Sequence, residues 1–309
     1  MDKLKKVGLT ALGTALVSTA SVAGDMAVTG SALMTFTGND NTDTGNGWGM
    51  SDTMTFTGSG DLDNGWSITY SHAIDGGAND ANSIAIDMGD MGKLTFAGLG
   101  GSGPVAAWDD KMPTANEESW ANSAGTKTAA ATGASGANGF NYTLPAMIDG
   151  IAAEVYVLPS HTGGQATSVE WGVVYTGIDG LEVGLAGGDN ETTATNVRES
   201  TNLYAKYTMD SITIGAQSNE TDAQTANTDS DFTAFGVSYA VSDELSVSYG
   251  ISDVEHENSS KVDQEAAAIS FSYVSGGMTI SGSRSNVDNV GGTATVDNSG
   301  YELNVTFAF

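Results

Sequence analysis

Tyr301-Glu-Leu303-Asn-Val305-Thr-Phe307-Ala-Phe309 ends the chain with an apolar residue at every odd position. In an extended strand, residues i and i+2 share a face, so this segment has one apolar face and one largely polar face. The same period of two recurs upstream. Met54-Thr-Phe56-Thr-Gly58, Trp66-Ser-Ile68-Thr-Tyr70, Leu245-Ser-Val247-Ser-Tyr249-Gly-Ile251 and Ile269-Ser-Phe271-Ser-Tyr273 all carry it. Extended to the whole chain, the pattern predicts strands over 26–37, 52–62, 66–74, 82–88, 93–98, 138–144, 151–158, 168–176, 181–187, 200–209, 211–218, 232–240, 244–252, 266–274, 278–284 and 298–309.

Two architectures accept such strands. A soluble sandwich or solenoid would bury the apolar faces in a core, whereas a membrane barrel turns them to lipid and lines a lumen with the polar ones. Tyr142, Tyr175, Tyr207, Tyr239 and Tyr273 recur at intervals of 32–34 residues, each just before a short turn. Tyrosines beside every short turn form an aromatic belt at one membrane interface. Charge placement points the same way, because a Lys or Arg facing mid-bilayer costs about 2–4 kcal/mol. Asp61, Asp87, Lys93, Glu154, Glu170, Glu182, Lys206, Glu244 and Glu302 all fall on the polar parity of their strands. Asp231, Glu265 and Arg284 fall on the other parity, at predicted loop junctions. The expected fold is therefore an all-β, transmembrane antiparallel β-barrel of sixteen strands, an even number that puts both termini on one side.

Composition sets further limits. The chain has 309 residues, 41 of them glycine, with a formal net charge of −28 and no cysteine. The missing cysteine removes disulfides, thiolate metal sites and cysteine nucleophiles. Such an acid excess excludes nucleic acid as a partner, since phosphates require Lys and Arg. Acidic, Gly-rich chains are often disordered, but 39% hydrophobic content with regularly placed aromatics is not that composition.

Lys3, Lys5 and Lys6, the apolar run Val7–Val17 and Ser21-Val22-Ala23 read as a secretory signal peptide over residues 1–23, leaving 24–309 as one barrel domain. Losing Lys3, Lys5, Lys6 and Asp2 takes the net charge from −28 to −30. No later stretch offers the roughly 18 apolar residues of a transmembrane helix.

One connection stands apart. Residues 99–137 lack alternation and carry Asp109, Asp110, Glu117 and Glu118 with Trp108, Trp120, Pro104 and Pro113. A loop this long is functional or unstructured. It is either a flexible surface loop or a loop folded into the lumen whose carboxylates narrow the pore. The signal peptide, Gly92-Lys-Leu-Thr-Phe-Ala-Gly98 leading into this loop, and the terminal Tyr301–Phe309 strand together resemble the general diffusion porins of Gram-negative outer membranes. The resemblance implies a trimer, a third loop (99–137) forming the constriction, and recognition of Tyr301, Leu303, Val305, Phe307 and Phe309 by the barrel-assembly machinery. The chain also departs from that family. The arginine cluster that faces the loop acids there has no counterpart: after residue 23 the arginines are Arg198 and Arg284, both in or beside predicted loops. The loop has no Pro-Glu-Phe-Gly-Gly-Asp motif, and the second loop, Asp75 to about Asn82, is short.

Seven acids and two lysines on the predicted lumen wall, with four more acids in the long loop beside Lys111 and Lys127, attract cations and repel anions. The expected function is a water-filled channel in the Gram-negative outer membrane. It passes small hydrophilic solutes with a cation bias and contacts outer-membrane lipid and lipopolysaccharide. The alternative is a non-conducting barrel serving as a structural or adhesive surface protein. No cofactor and no specific metal site is expected. Asp40-Asn41-Thr42-Asp43-Thr44-Gly45 lacks the spacing and closing Glu of a calcium loop, and Asp253, Glu255, His256 and Glu257 form a loose cluster. Nor is an enzyme expected: His72, His161 and His256 are far apart in sequence, and there is no HExxH, no GxSxG and no phosphate-cradling glycine loop before a predicted helix.

Overall fold

The computed structural model describes residues 24–39, 46–119, 133–160, 166–193 and 196–309. The expected signal peptide, the Asp40–Gly45 run, residues 120–132 of the long connection and His161 lie outside the described residues.

Alternation becomes strand where it was expected. The barrel strands are β1 (Met26–Asn39), β2 (Trp48–Asp61), β3 (Ser67–Asp75), β4 (Ala78–Asp87), β5 (Lys93–Leu99), β6 (Gly139–Thr143), β7 (Ile151–Leu158) and β8 (Ser168–Tyr175). They continue as β9 (Leu181–Thr193), β10 (Asn196–Met209), β11 (Ile212–Ala223), β12 (Ser230–Ala240), β13 (Leu245–His256), β14 (Gln264–Ser275), β15 (Met278–Asp288) and β16 (Asn298–Ala308). Among the described residues these sixteen form one closed antiparallel barrel in which each strand pairs with its neighbours in sequence and β1 pairs with β16. The seam closes at the last residue. Gly30 N–H donates to the Phe309 carbonyl at 2.8 Å and Phe309 N–H donates back at 2.9 Å. The second loop has shrunk to the two-residue turn Gly76-Gly77, with φ of 54° and 80°, a conformation that glycine adopts without strain.

The two faces separate as the period of two requires. Val169, Trp171, Leu203, Phe235, Ile251, Ile269, Phe271, Tyr301, Leu303 and Phe307 are exposed on the outside. Tyr156, Glu170, Asn202, Gln217, Asn219 and Ser252, on the opposite parity, are buried within. Tyr175, Tyr207, Tyr239 and Tyr273 are exposed on the outer face at the short-turn end of their strands. Val305 shares the outer parity of Leu303 and Phe307 and pairs with Met34 and Ile280.

Several strands outrun their apolar stretch at the long-loop end. β9 runs to Thr193, β11 to Ala223 and β13 to His256, because ladder hydrogen bonds continue after lipid-facing side chains stop. Asp231, Glu265 and Arg284 are therefore strand residues on the outer parity, not junction residues. Asp231 pairs laterally with Glu220 and Glu255, and Glu265 with Asp253 and Asp288. Like charges directly opposite are destabilising, which suits a solvated rim and not the lipid band. Asp253 and Glu255 take the outer parity and His256 the inner one, so the strand splits the loose acidic cluster between two faces.

Alternating faces give this barrel a directional sensitivity to charge. Ile269→Lys, on the outer face four residues from Tyr273, is expected to destabilise the barrel by about 2–4 kcal/mol. The inward Thr55→Lys is expected to cost less than about 1 kcal/mol. Denaturant unfolding of both variants in lipid vesicles checks the difference, and equal losses would contradict the assignment of faces.

Candidate functional site

Antiparallel lateral partners share a face, so the registers place the expected wall residues that lie within strands. Asp61, Ser67, Asp87, Lys93, Thr143 and Glu154 form one continuous lateral row. Glu182 and Lys206 are lateral partners and form an ion pair at 3.1 Å. Glu154 accepts a hydrogen bond from Asn141 Nδ2 at 2.9 Å, and Asn304 Nδ2 donates to Glu302. Asp87 accepts from Gly89 N–H at 2.9 Å in the turn below. Glu244 sits before β13, in the turn closed by Ser242, whose hydroxyl donates to its carboxylate at 3.0 Å. Glu170 is on the inner face, but it is 1% exposed and covered by the long connection.

That connection lies against the inward side chains of β8 to β15. It starts with a small ladder, Gly101–Ser102 against Ser135–Gly136, then a single helical turn, Pro104–Ala107. Side chains of the wall supply the partners that its irregular backbone lacks. Asn202 Nδ2 donates to the Val105 carbonyl at 2.6 Å. Gln217 uses both ends of its amide, accepting from Lys111 N–H at 2.8 Å and donating to the Trp108 carbonyl at 2.8 Å. Ser248 and Ser270 accept from the N–H groups of Ala115 and Asn116 at 2.8 and 3.2 Å. Ser281 donates to Asn116 at 2.8 Å, and Ser119 donates to Ser252 at 3.1 Å.

Packing accompanies the hydrogen bonds. Gly215 and Gly236 are lateral partners on the inner face, and Pro113 rests on both. A Cβ at Gly215 would come within 2.5 Å of Pro113 Cδ, and one at Gly236 within 3.1 Å of the Pro113 carbonyl. Met112 joins Phe232, Ala234, Val254, Ala266 and Val287 in a buried apolar cluster on the inner wall. Trp108 stands edge-on to Tyr204, with ring centroids 5.9 Å apart. The inner parity thus carries an apolar patch around Met112 beside the polar side chains that bind the connection, a mixture the alternation did not predict.

Of the expected loop acids, Asp110 is exposed, while Asp109, Glu117 and Glu118 are half-buried. Glu117 and Glu118 border a small gap between the connection and the wall at Ser248 and Gly250. The wall from β1 to β5, which forms none of the hydrogen bonds to the connection described above, is different chemistry. Laterally registered hydroxyls fill its inner face, among them Ser31 with Thr53, Thr29 with Thr55, and Thr57 with Ser71 and Ser83. Lys93, at the short-turn end, is the cation of these five strands. The wall residues that hold the connection escaped the sequence reading because a lumen-lining Gln or Ser and one that binds a loop have the same parity.

The profile of Gram-negative porins matches residues 8–275. No curated protein sequence matches the chain. Among solved structures, the chain is similar to OmpT, an outer membrane protein of Vibrio cholerae, with 14% identity, 96% of this chain and 100% of that chain covered, and a TM-score of 0.71. It is also similar to Salmonella typhi OmpF in complex with daunomycin (14% identity, 93% and 98% covered, TM-score 0.70) and to a mutant of the Rh. blastica porin (14%, 92% and 100%, 0.66). The V. cholerae OmpT is also known in a trimer form. With the closed barrel of sixteen strands and a profile match over most of its length, the chain belongs to the Gram-negative porin family.

Proposed function

We propose that this porin is a cation-biased diffusion channel for small hydrophilic solutes, exported by cleavage after about residue 23 and assembled as a homotrimer. Its third loop, 99–137, folds into the lumen and sets the constriction. The hydrogen bonds that Gln217, Ser248 and Ser270 accept from that loop support this. The observation that carries the cation bias is one-sided charge. Acids Asp109, Asp110, Glu117 and Glu118 lie on the loop, while the wall from β1 to β5 offers hydroxyls where a positive pole would stand. Such a lumen has a negative potential with little transverse field, and low-dielectric walls concentrate it. Hydrated cations are enriched, and the hydroxyls exchange hydrogen bonds with their water.

The trimer face is assigned to the outside of β1 to β5. Tyr175, Tyr207, Tyr239 and Tyr273 mark the lipid interface on β8 to β14. In β1 and β2 the corresponding outer positions include Gly30, Gly58 and Gly60, and His72 of β3 lies on the outer parity, stacked on Tyr70 at 6.3 Å. Small residues permit close approach, and an imidazole is better placed against protein than against lipid. Elsewhere the outer face meets outer-membrane lipid, with the acidic rows at the headgroup level of lipopolysaccharide. The terminal Tyr301–Phe309 strand is the segment offered to the barrel-assembly machinery.

Planar-bilayer recordings test the function. Stepwise currents grouped in threes are expected, and a barrel with an adhesive role would give none. A tenfold KCl gradient centred near 0.1 M is expected to give a reversal potential of cation sign, below the limit of about 59 mV. Centred near 1 M, the bias should fall, since the Debye length shrinks from about 10 Å to about 3 Å. Clear anion preference at low salt would overturn the proposal. Replacing Asp110, Glu117 and Glu118 together by Asn, Gln and Gln is expected to reduce the low-salt potential by roughly half, the wall acids supplying the rest.

A further inference from the structure

We infer that Glu170 is the positioning residue that locks both arms of the third loop to the barrel wall, and that its two carboxylate oxygens set whether the constriction is held still. The inference deepens the channel reading and rests on it. The two oxygens serve different arms. Oε2 accepts the Val105 N–H at 2.9 Å on the outgoing arm, and Oε1 accepts the Ala134 N–H on the returning arm. The arms are also tied to each other, through the Gly101–Ser102 ladder with Ser135–Gly136 and a 2.9 Å bond from Gly103 N–H to the Ala134 carbonyl. The neck of the loop is therefore a closed ring with the Glu170 carboxylate at its centre.

Neighbouring wall residues complete a complementary set. Where Glu170 takes N–H groups, Asn202 and Asn190 donate to the carbonyls of Val105 and Gly133. Glu170 is 1% exposed, and among the described residues its partners are backbone N–H groups, not a cation. The buried ring of Tyr156 lies beside it. Gly103 completes the fit, because a Cβ there would strike both the Glu170 carboxylate and the Tyr156 ring. A buried carboxylate without a cation is costly unless N–H groups satisfy it. Its partners here are supplied by the loop, so releasing the neck would strip the carboxylate of them at once.

Substitution by Gln separates this role from simple packing. A carboxamide keeps the shape but has one accepting oxygen, and its NH2 group faces the second N–H unfavourably. Glu170→Gln is therefore expected to hold one arm and free the other. Two readouts follow. In single-channel records the open-state current noise and brief closures of Glu170→Gln should rise about tenfold in frequency, the change produced by losing about 1.4 kcal/mol. The chain has no cysteine, so Val105→Cys, at a position 0% exposed, gives one thiol that reacts only when the neck opens. Its modification by a water-soluble thiol reagent should also be about tenfold faster with Glu170→Gln than without it. If Glu170 only packs the wall, Glu170→Gln lowers barrel unfolding temperature while noise and thiol rate stay unchanged, and that result overturns the inference. If Glu170→Gln does not assemble, Gly103→Ala disturbs the same clamp from the loop side, and unchanged noise and thiol rate there are equally fatal. Should the parent chain conduct no current, the channel reading fails, while the thiol rate still decides the clamp.

Discussion

Hydrocarbon offers a strand edge no water, so every backbone N–H and C=O at membrane depth must find a partner in the protein. For strands the solution is closure. The reciprocal pair between Gly30 and Phe309 completes it, which makes the last residue of the chain a structural member of the seam. Closure in turn fixes the two faces. Once β1 pairs with β16, each side chain points either to lipid or to the lumen, and a one-residue slip would put Glu302 in lipid and Leu303 in water.

The same constraint governs the third loop, whose described backbone is irregular and pairs with itself only at Gly101–Ser102 with Ser135–Gly136 and around the Pro104–Ala107 turn. Such backbone is tolerated at membrane depth only when protein or cavity water satisfies it. Here the inward amides and hydroxyls do so. Gln217 is used as both donor and acceptor, and the lateral partners Ser248 and Ser270 receive successive N–H groups of Ala115 and Asn116. The glycines at 215 and 236 let Pro113 come down onto the wall, so close approach and hydrogen bonding reinforce each other. Lumen polarity is thus spent partly on water and partly on the loop.

The strands were legible in the sequence because lipid imposes a period of two that few other environments impose. Ile151–Leu158 was located to the residue, and Leu245–His256 only through its first two turns of apolar alternation, since its outer end carries Asp253 and Glu255 where Ile and Tyr would be needed for the signal. The inner apolar cluster of Phe232, Val254 and Val287 was not legible. Its residues read as breaks in alternation, because their partner, Met112, is more than a hundred residues away in sequence. Alternation places Glu170 on the inner parity, and its carboxylate there meets the N–H groups of Val105 and Ala134. Parity tells which way a carboxylate points but not what covers it, and the covering atoms are main-chain N–H groups that no sequence pattern announces.

This difference between pointing inward and facing water changes how the acid excess should be weighed. Glu170 carries an acid on the wall that the loop covers and keeps out of contact with water, and Glu182 is paired with Lys206. The ends of β11 to β15 hold further carboxylates on the outer rim, where salt screens them within about 8 Å. What remains on the proposed channel reading is Asp110 with the half-buried Asp109, Glu117 and Glu118 on the loop, and Asp61, Asp87, Glu154 and Glu302 on the wall. A few carboxylates in a confined low-dielectric space outweigh many on a rim, because attraction scales inversely with both distance and dielectric constant. On the proposed channel reading, selectivity follows where the loop rests, and Gln217, Ser248, Ser270 and Glu170 hold its backbone.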